Sequence, residues 1–175
     1  MSNREALREL QGRLAQRLQQ ARTEVRMLSW LAVECAGHGF LIPLTTAGEI
    51  FSVGAMLPVS HTQPWFMGVA NLRGGLHGVA DLAAFLGLRA PLGLEAVREQ
   101  SRLVAFNGAL GSHCAVLVDR LAGLRRADQL TLAPPAGEPR PAFASAQWRD
   151  SEGRLWQEID LAALSRNEQF LAIAA

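Results

Sequence analysis

Four histidines, two cysteines and a few carboxylates are the side chains through which this 175-residue chain could do covalent or metal chemistry. Their spacing offers little of it. His38, His61, His77 and His113 form no His-x-x-x-His pair on a helix, and no Cys-x-x-Cys occurs, so the common zinc-ligand spacings are missing from the sequence. Cys35 and Cys114 lie inside apolar runs, where a free cysteine is normally a buried and inert side chain. Two cysteines in a chain of this length do not make a disulfide framework. Cys114 adjoins His113, but neighbours on a strand point to opposite faces, which denies the thiol that base. Glu49 and Asp81 are carboxylates that folding could bring together, although Asp81 stands where a helix N-cap is expected. Gly74, Gly75 and Gly78 lack the Gly-Lys-Ser/Thr ending of a phosphate loop. The expectation is a protein with no catalytic residues, no metal and no cofactor.

The chemistry that remains is recognition, and it concentrates between Gly68 and Leu82. Gly68 permits close approach of a neighbouring backbone or of a partner side chain. Asn71 can bond locally to a turn. Gly74 and Gly75 supply the dihedral angles that a tight reversal needs. Arg73 presents a planar fork of donors at the tip. Two roles for Arg73 stay open together: a staple to a carboxylate such as Glu49, and direct contact with a partner.

The elements that must hold this hairpin are short strands. Residues 30–35 and 40–44 flank the turn 36–39, and Pro43 argues for an edge strand or a bulge there. Residues 49–53, 66–72 and 76–80 follow as strands. Asp81 caps a short helix through Leu86 that Gly87 ends. A connector near 88–99 precedes a second set of strands at 102–106, 113–118, 121–126, 143–148 and 154–159. Asn107-Gly108 marks a tight turn in that set, and Asp160 caps a closing helix. In front of this body, Ser2 to Thr23 reads as one amphipathic helix, with Leu7, Leu10, Leu14, Leu18 and Ala21 on one face. That face either packs on the protein's own body, docks a partner helix, or doubles up with a second copy. The domain reading is a helix over 1–24 and a strand-rich domain over 25–175.

Composition bounds the function class. About half the residues are apolar (49%), enough for a packed core, and the formal net charge is +1. A near-neutral balance gives no electrostatic reason to expect nucleic acid. All 17 basic residues are arginine, the residue suited to bidentate carboxylate contacts. No apolar run approaches the ~20 residues that span a bilayer, and no signal-peptide pattern opens the chain, so cytoplasmic residence without membrane insertion is the expectation.

The run Gly68-Val69-Ala70-Asn71-Leu72-Arg73-Gly74, followed by Val79-Ala80-Asp81-Leu82, resembles the signature of CheW-type chemotaxis adaptors. Glu49-Ile50, Pro64-Trp65, the strand 113–119 and the ending Ile159-Asp160-Leu161 are similar to further pieces of that family, in the same order. Gly78, where the family usually has proline, and Ala80, in place of a β-branched residue, depart from it. The resemblance implies an all-β fold, a pair of five-stranded SH3-like barrels with short helices at the barrel ends. It implies a non-enzymatic adaptor that couples methyl-accepting chemoreceptors, through their cytoplasmic tips, to the regulatory domain of a CheA-type histidine kinase, with the receptor hairpin in a groove between the barrels. Such an adaptor sits at the inner face of the membrane through receptor arrays. The helical lead and the ending Gln169-Phe170-Leu171-Ala172 are closer to the branch serving type IV pilus (twitching) systems. The partner-binding residues it implies are Glu49, Gly68, Asn71, Arg73 and Gly74. The alternative is a scaffolding module that self-associates through its N-terminal helix.

Overall fold

The computed structural model describes residues 11–17, 29–135, 137, 139–144 and 146–175. Residues 11–17 are helical (the described part of α1) with exposed side chains, and Leu14 is 59% accessible. Of the face expected over this helix, only Leu14 lies among the described residues. The remainder of the helix expected over 2–23 lies outside the described residues.

Among the described residues, eleven strands build two sheets. β1 (Ser29–Cys35), β2 (His38–Pro43), β8 (Arg120–Arg126), β9 (Leu130–Leu132), β10 (Gln147–Asp150) and β11 (Leu155–Glu158) form a six-stranded sheet in the order β8-β1-β2-β11-β10-β9. β3 (Ala47–Ser52), β4 (Phe66–Leu72), β5 (Gly75–Asp81), β6 (Arg102–Phe106) and β7 (Cys114–Val118) form a five-stranded sheet in the order β3-β6-β7-β5-β4. Three one-turn helices, α2 (Leu82–Phe85), α3 (Leu161–Leu164) and α4 (Glu168–Leu171), bury Leu82, Ala83, Leu161, Leu164 and Phe170 in one shared apolar cluster.

The apolar runs of the sequence divide between three cores by strict alternation. On β1, Trp30 and Ala32 point into the six-stranded barrel, while Leu31, Val33 and Cys35 point to the seam between the barrels. On β6 and β7, Leu103, Ala105, Ala115 and Leu117 fill the five-stranded barrel, while Val104, Phe106, Val116 and Val118 face the same seam. These strands are therefore buried on both faces, which explains their near-continuous apolar sequences. The seam holds the largest of the three clusters, so the barrels share one core.

Several elements differ from the sequence reading for physical reasons. The strands on either side of 88–99 both pair with β7 in one sheet, so the connector does not divide the barrels. Pro43 does not mark an edge: β2 lies between β1 and β11, but the parallel pairing with β11 reaches only to Leu41, so the missing N–H costs no ladder bond. Residues 142–144 form a 3-10 turn rather than a strand start, because Phe143 and Ala144 dive into the seam. Asn107-Gly108 opens a longer loop, with Asn107 Oδ1 accepting from the Ala109 N–H at 3.0 Å, instead of a two-residue reversal. The six-stranded sheet owes its extra member to three-residue β9, too short to show in the pattern.

Polar anchors fix the corners. Asp81 is fully buried and caps α2 by accepting from the Ala84 N–H at 3.3 Å. Its second oxygen takes Arg89 at 2.5 Å, and Arg89 also reaches Asp119 at 3.0 Å. Asp119 in turn accepts from the Ala36 N–H at 2.7 Å, tying the β1–β2 turn to this cluster. On the six-stranded barrel, Glu34 pairs with Arg120 at 2.5 Å and Arg154 at 2.7 Å. Partial burial pushes its pKa up, but hydrogen bonds and charge from Arg120 and Arg154 outweigh that and hold it below the ordinary glutamate value.

Replacing Arg89 by leucine leaves the Asp81 carboxylate buried without its cation and is expected to cost about 3–5 kcal/mol in urea unfolding. An unchanged midpoint would show that the cluster does not anchor the corner. The lowered pKa of Glu34 means its stabilisation is present at neutral pH and is lost as pH falls below about 4.5, through the folded-state value. Glu34→Gln should therefore flatten the acid limb of a stability–pH curve while leaving the alkaline limb unmoved.

Candidate functional site

The groups that could have been catalytic are placed to do nothing chemical. Burial pushes the Cys35 thiol up to about 12, far from a reactive thiolate. Cys114 packs against the seam beside Ser112, whereas His113 turns the other way and meets His77, ring centroids 5.5 Å apart. His77 Nδ1 lies 3.0 Å from the Gly75 carbonyl. Among the described residues no group of three histidine, cysteine or carboxylate side chains could hold a metal ion. Glu49 and Asp81 do not work together: Asp81 is committed to Arg89, and Glu49 belongs to a different, exposed pair.

That exposed pair marks the candidate site. β4 and β5 are joined by the two-residue turn Arg73-Gly74, with φ of 49° and 81°. Both residues at positive φ make the primed hairpin turn whose twist suits antiparallel strands. Asn71 Oδ1 accepts from the Gly74 N–H at 2.8 Å and holds the turn from below. Gly75 is already in β5, so Arg73, not Gly75, takes the other left-handed position. The guanidinium of Arg73 reaches Glu49 of β3 at 2.7 Å, with the two side chains 76% and 42% accessible.

β3 and β4 are the two edges of the five-stranded sheet. The Glu49–Arg73 pair spans the gap where this barrel stays open. Behind it lies an open groove of about 520 Å³, lined by Glu49, Phe51, Gly54, Ala70, Leu72 and Arg73 among others. Ile50, next to Glu49, is 37% accessible at its rim. The groove at Glu49 and Arg73 lies within one barrel.

Gly68 has a structural task. Its φ is 124°, and a Cβ there would stand 2.2 Å from the Leu57 carbonyl oxygen. Leu57 and Val69 exchange both backbone hydrogen bonds, at 2.8 and 2.9 Å, so the chain after β3 lies directly across β4. Gly68 thus admits the protein's own backbone, leaving no room there for a partner. Of the five residues singled out in the sequence, Glu49, Asn71, Arg73 and Gly74 gather at the mouth and Gly68 braces the strand behind it. The groove walls Phe51, Gly54 and Ala70 carried no signal beyond ordinary strand alternation. The pairing of Arg89 with Asp119 carried none, because it joins parts of the fold distant in sequence.

The model of the CheW-like domain matches residues 29–169. The chain belongs to the CheW-like family. Members of this family are non-enzymatic scaffolds and adaptors of chemosensory signalling. Over 165 residues the chain is 26% identical to the protein PilI of Pseudomonas aeruginosa, covering 93% of this chain and 89% of that one. That alignment reaches into the residues before Ser29, which the family domain leaves out. The crystal structure of the scaffolding protein TtCheW from Thermoanaerobacter tengcongensis shares the CheW-like fold, with a TM-score of 0.60 at 18% identity over 75% of this chain and 88% of that one. Among the described residues no helix is long and apolar enough to cross a membrane.

The geometry separates two kinds of residue at this site. Gly68→Ala drives a Cβ into backbone and is expected to lower stability by about 2–3 kcal/mol. Arg73→Gly places the residue the turn prefers, so stability should stay within about 1 kcal/mol of the parent. Chemical denaturation of both variants checks this contrast.

Proposed function

We propose that this protein is the adaptor that couples methyl-accepting chemoreceptors to a CheA-type histidine kinase in a type IV pilus chemosensory system. The carrying observation is Arg73. An arginine at φ 49° costs about 1–2 kcal/mol relative to glycine, and its ion pair with Glu49, mostly in solvent, returns only ~0–1 kcal/mol. The turn would be at least as stable without it. A strained, exposed, donor-rich side chain at the rim of an open groove is therefore best explained by a partner.

In this reading the cytoplasmic tip of the receptor lays a helix into the groove between β3 and β4, and Arg73 and Glu49 meet polar groups of the helix at its rim. The kinase contributes its regulatory domain, and the adaptor holds the two together at the inner face of the membrane through the receptor array. Control of the kinase is then a shift between its populated states, biased by how receptor and adaptor fit. Family membership, and the 26% identity to PilI, support the adaptor role and the pilus setting.

The test uses purified receptor cytoplasmic fragment and kinase regulatory domain in a pull-down with the full chain. Arg73→Gly is expected to weaken capture of one of them by about tenfold, or ~1.4 kcal/mol, and Arg73→Glu by more, with thermal unfolding unchanged in the glycine variant. Capture of both partners at parental strength by Arg73→Glu would overturn the assignment of this groove.

A further inference from the structure

Two histidines stand side by side at one end of the five-stranded barrel. β5 and β7 run parallel with Gly78 opposite Cys114, and the Gly78 N–H donates to the His113 carbonyl at 2.9 Å. That register makes neighbours of His77 and His113, which are distant in sequence. By alternation their side chains share the face of Val79, Ala115 and Leu117, the row that fills this barrel. The row reaches solvent here: His77 is half-buried and His113 is exposed. The ring centroids lie 5.5 Å apart, with the planes at 63°. We propose that His77 and His113 form a binding site for one divalent transition-metal ion such as zinc, with water in the remaining coordination positions.

The separation of the rings suits such an ion. Zinc–nitrogen bonds of about 2.0–2.1 Å put each ring centre about 3.2 Å from the metal, so two imidazoles at a tetrahedral angle have centres about 5.2 Å apart. The rings need little movement from 5.5 Å to meet that arrangement. The state of the His77 ring suits it too. Its Nδ1 lies 3.0 Å from the Gly75 carbonyl, which can only accept a hydrogen bond. Nδ1 therefore carries a proton, and Nε2 is the nitrogen left to offer a lone pair. A backbone carbonyl behind the far nitrogen is the usual support of a metal-bound histidine, because it fixes tautomer and ring orientation together. Gly75 leaves the ring its place: a Cβ there would stand 3.2 Å from His77 Cε1. Packing alone would be served as well by two apolar side chains, without polar atoms at the barrel end. The donor set selects the class of ion, since imidazole suits zinc, nickel and copper, whereas magnesium and calcium take oxygen ligands. Among the described residues no third histidine, cysteine or carboxylate completes the set, and Cys114 packs on the seam instead. Two imidazoles are too few for a closed structural site, but they can hold an exchangeable ion that stays open to solvent.

The full chain, free of any affinity tag, can be titrated with zinc chloride in isothermal calorimetry. One ion per chain is expected, held more weakly as the solution is acidified, because imidazole must give up its proton to bind. His77→Asn and His113→Asn should each weaken binding by at least about tenfold. His38→Asn and His61→Asn, which change exposed histidines elsewhere, should leave it as it is. His113 is exposed, so His113→Asn should keep the parental thermal midpoint without zinc and decides the matter even if His77→Asn fails to fold. Saturating zinc should raise the midpoint of the parent and not that of His113→Asn. No saturable binding by the parent at millimolar zinc, or parental binding by His113→Asn, overturns the proposal. So does binding that survives in His113→Asn and disappears in Cys114→Ser, which would place the ion on the thiol.

Discussion

Burial of single strands on both faces is the constraint from which the rest of this structure follows. β1, β2, β6 and β7 each give alternate residues to the inside of a barrel and to the seam between barrels. Each fully buried valine or leucine contributes about 1.5–3 kcal/mol. Neither barrel could keep the outer face of these strands in water at that cost. The barrels are thus two curls of one cooperative unit, and the chain order enforces it: it leaves the six-stranded sheet after β2, builds the five-stranded sheet, and returns with β8. A close fit at Gly39, where a Cβ would stand 2.7 Å from the Trp156 ring, shows how little slack the six-stranded barrel has.

A seam this apolar tolerates charge only where charge is fully answered. Asp81 enters it because the first turn of α2 needs a cap and because Arg89 follows it in, held from the other side by Asp119. Burial raises the cost of a lone carboxylate to several kcal/mol, so the arginine is a condition of the fold at that corner, and the bond from Ala36 to Asp119 makes the β1–β2 turn part of the same condition. The same burial silences Cys35. A thiol pushed up to about 12 is packing material, and the absence of catalytic chemistry expected from residue spacing here has a physical basis at that residue.

Much of this was legible in the sequence because the information was local. Short apolar runs bounded by turn residues located β1, β4, β5, β6 and β7, and the caps Asp81 and Asp160 were readable from their positions before short apolar runs. The hairpin bearing Arg73 was readable from its glycines, though not which residues take the left-handed angles: Arg73 does so because Asn71 secures the Gly74 N–H and because glycine at one of the two positions satisfies the turn. What could not be read was set by distant partners. The role of Gly68 depends on Leu57 passing over it. The standing of Pro43 depends on where β11 stops. The groove depends on β3 and β4 being opposite edges of one sheet, which no spacing along the chain reveals.

That last dependence explains why the site is where it is. A five-stranded sheet this curled brings its edges close without joining them, and unpaired edges invite foreign strands. Here Leu57 pairs with Val69 along β4, while Glu49 and Arg73 put opposite charges across the remaining gap. The edge is protected against strand addition, yet the groove behind the charges stays open. A surface closed to a strand but open to a helix selects its partner by backbone geometry before any side chain is read. The ion pair then contributes orientation more than energy, since an exposed pair is worth ~1 kcal/mol at most while misplacing it against a like charge costs more. On the proposed reading, the place where the barrel fails to close serves as its binding edge.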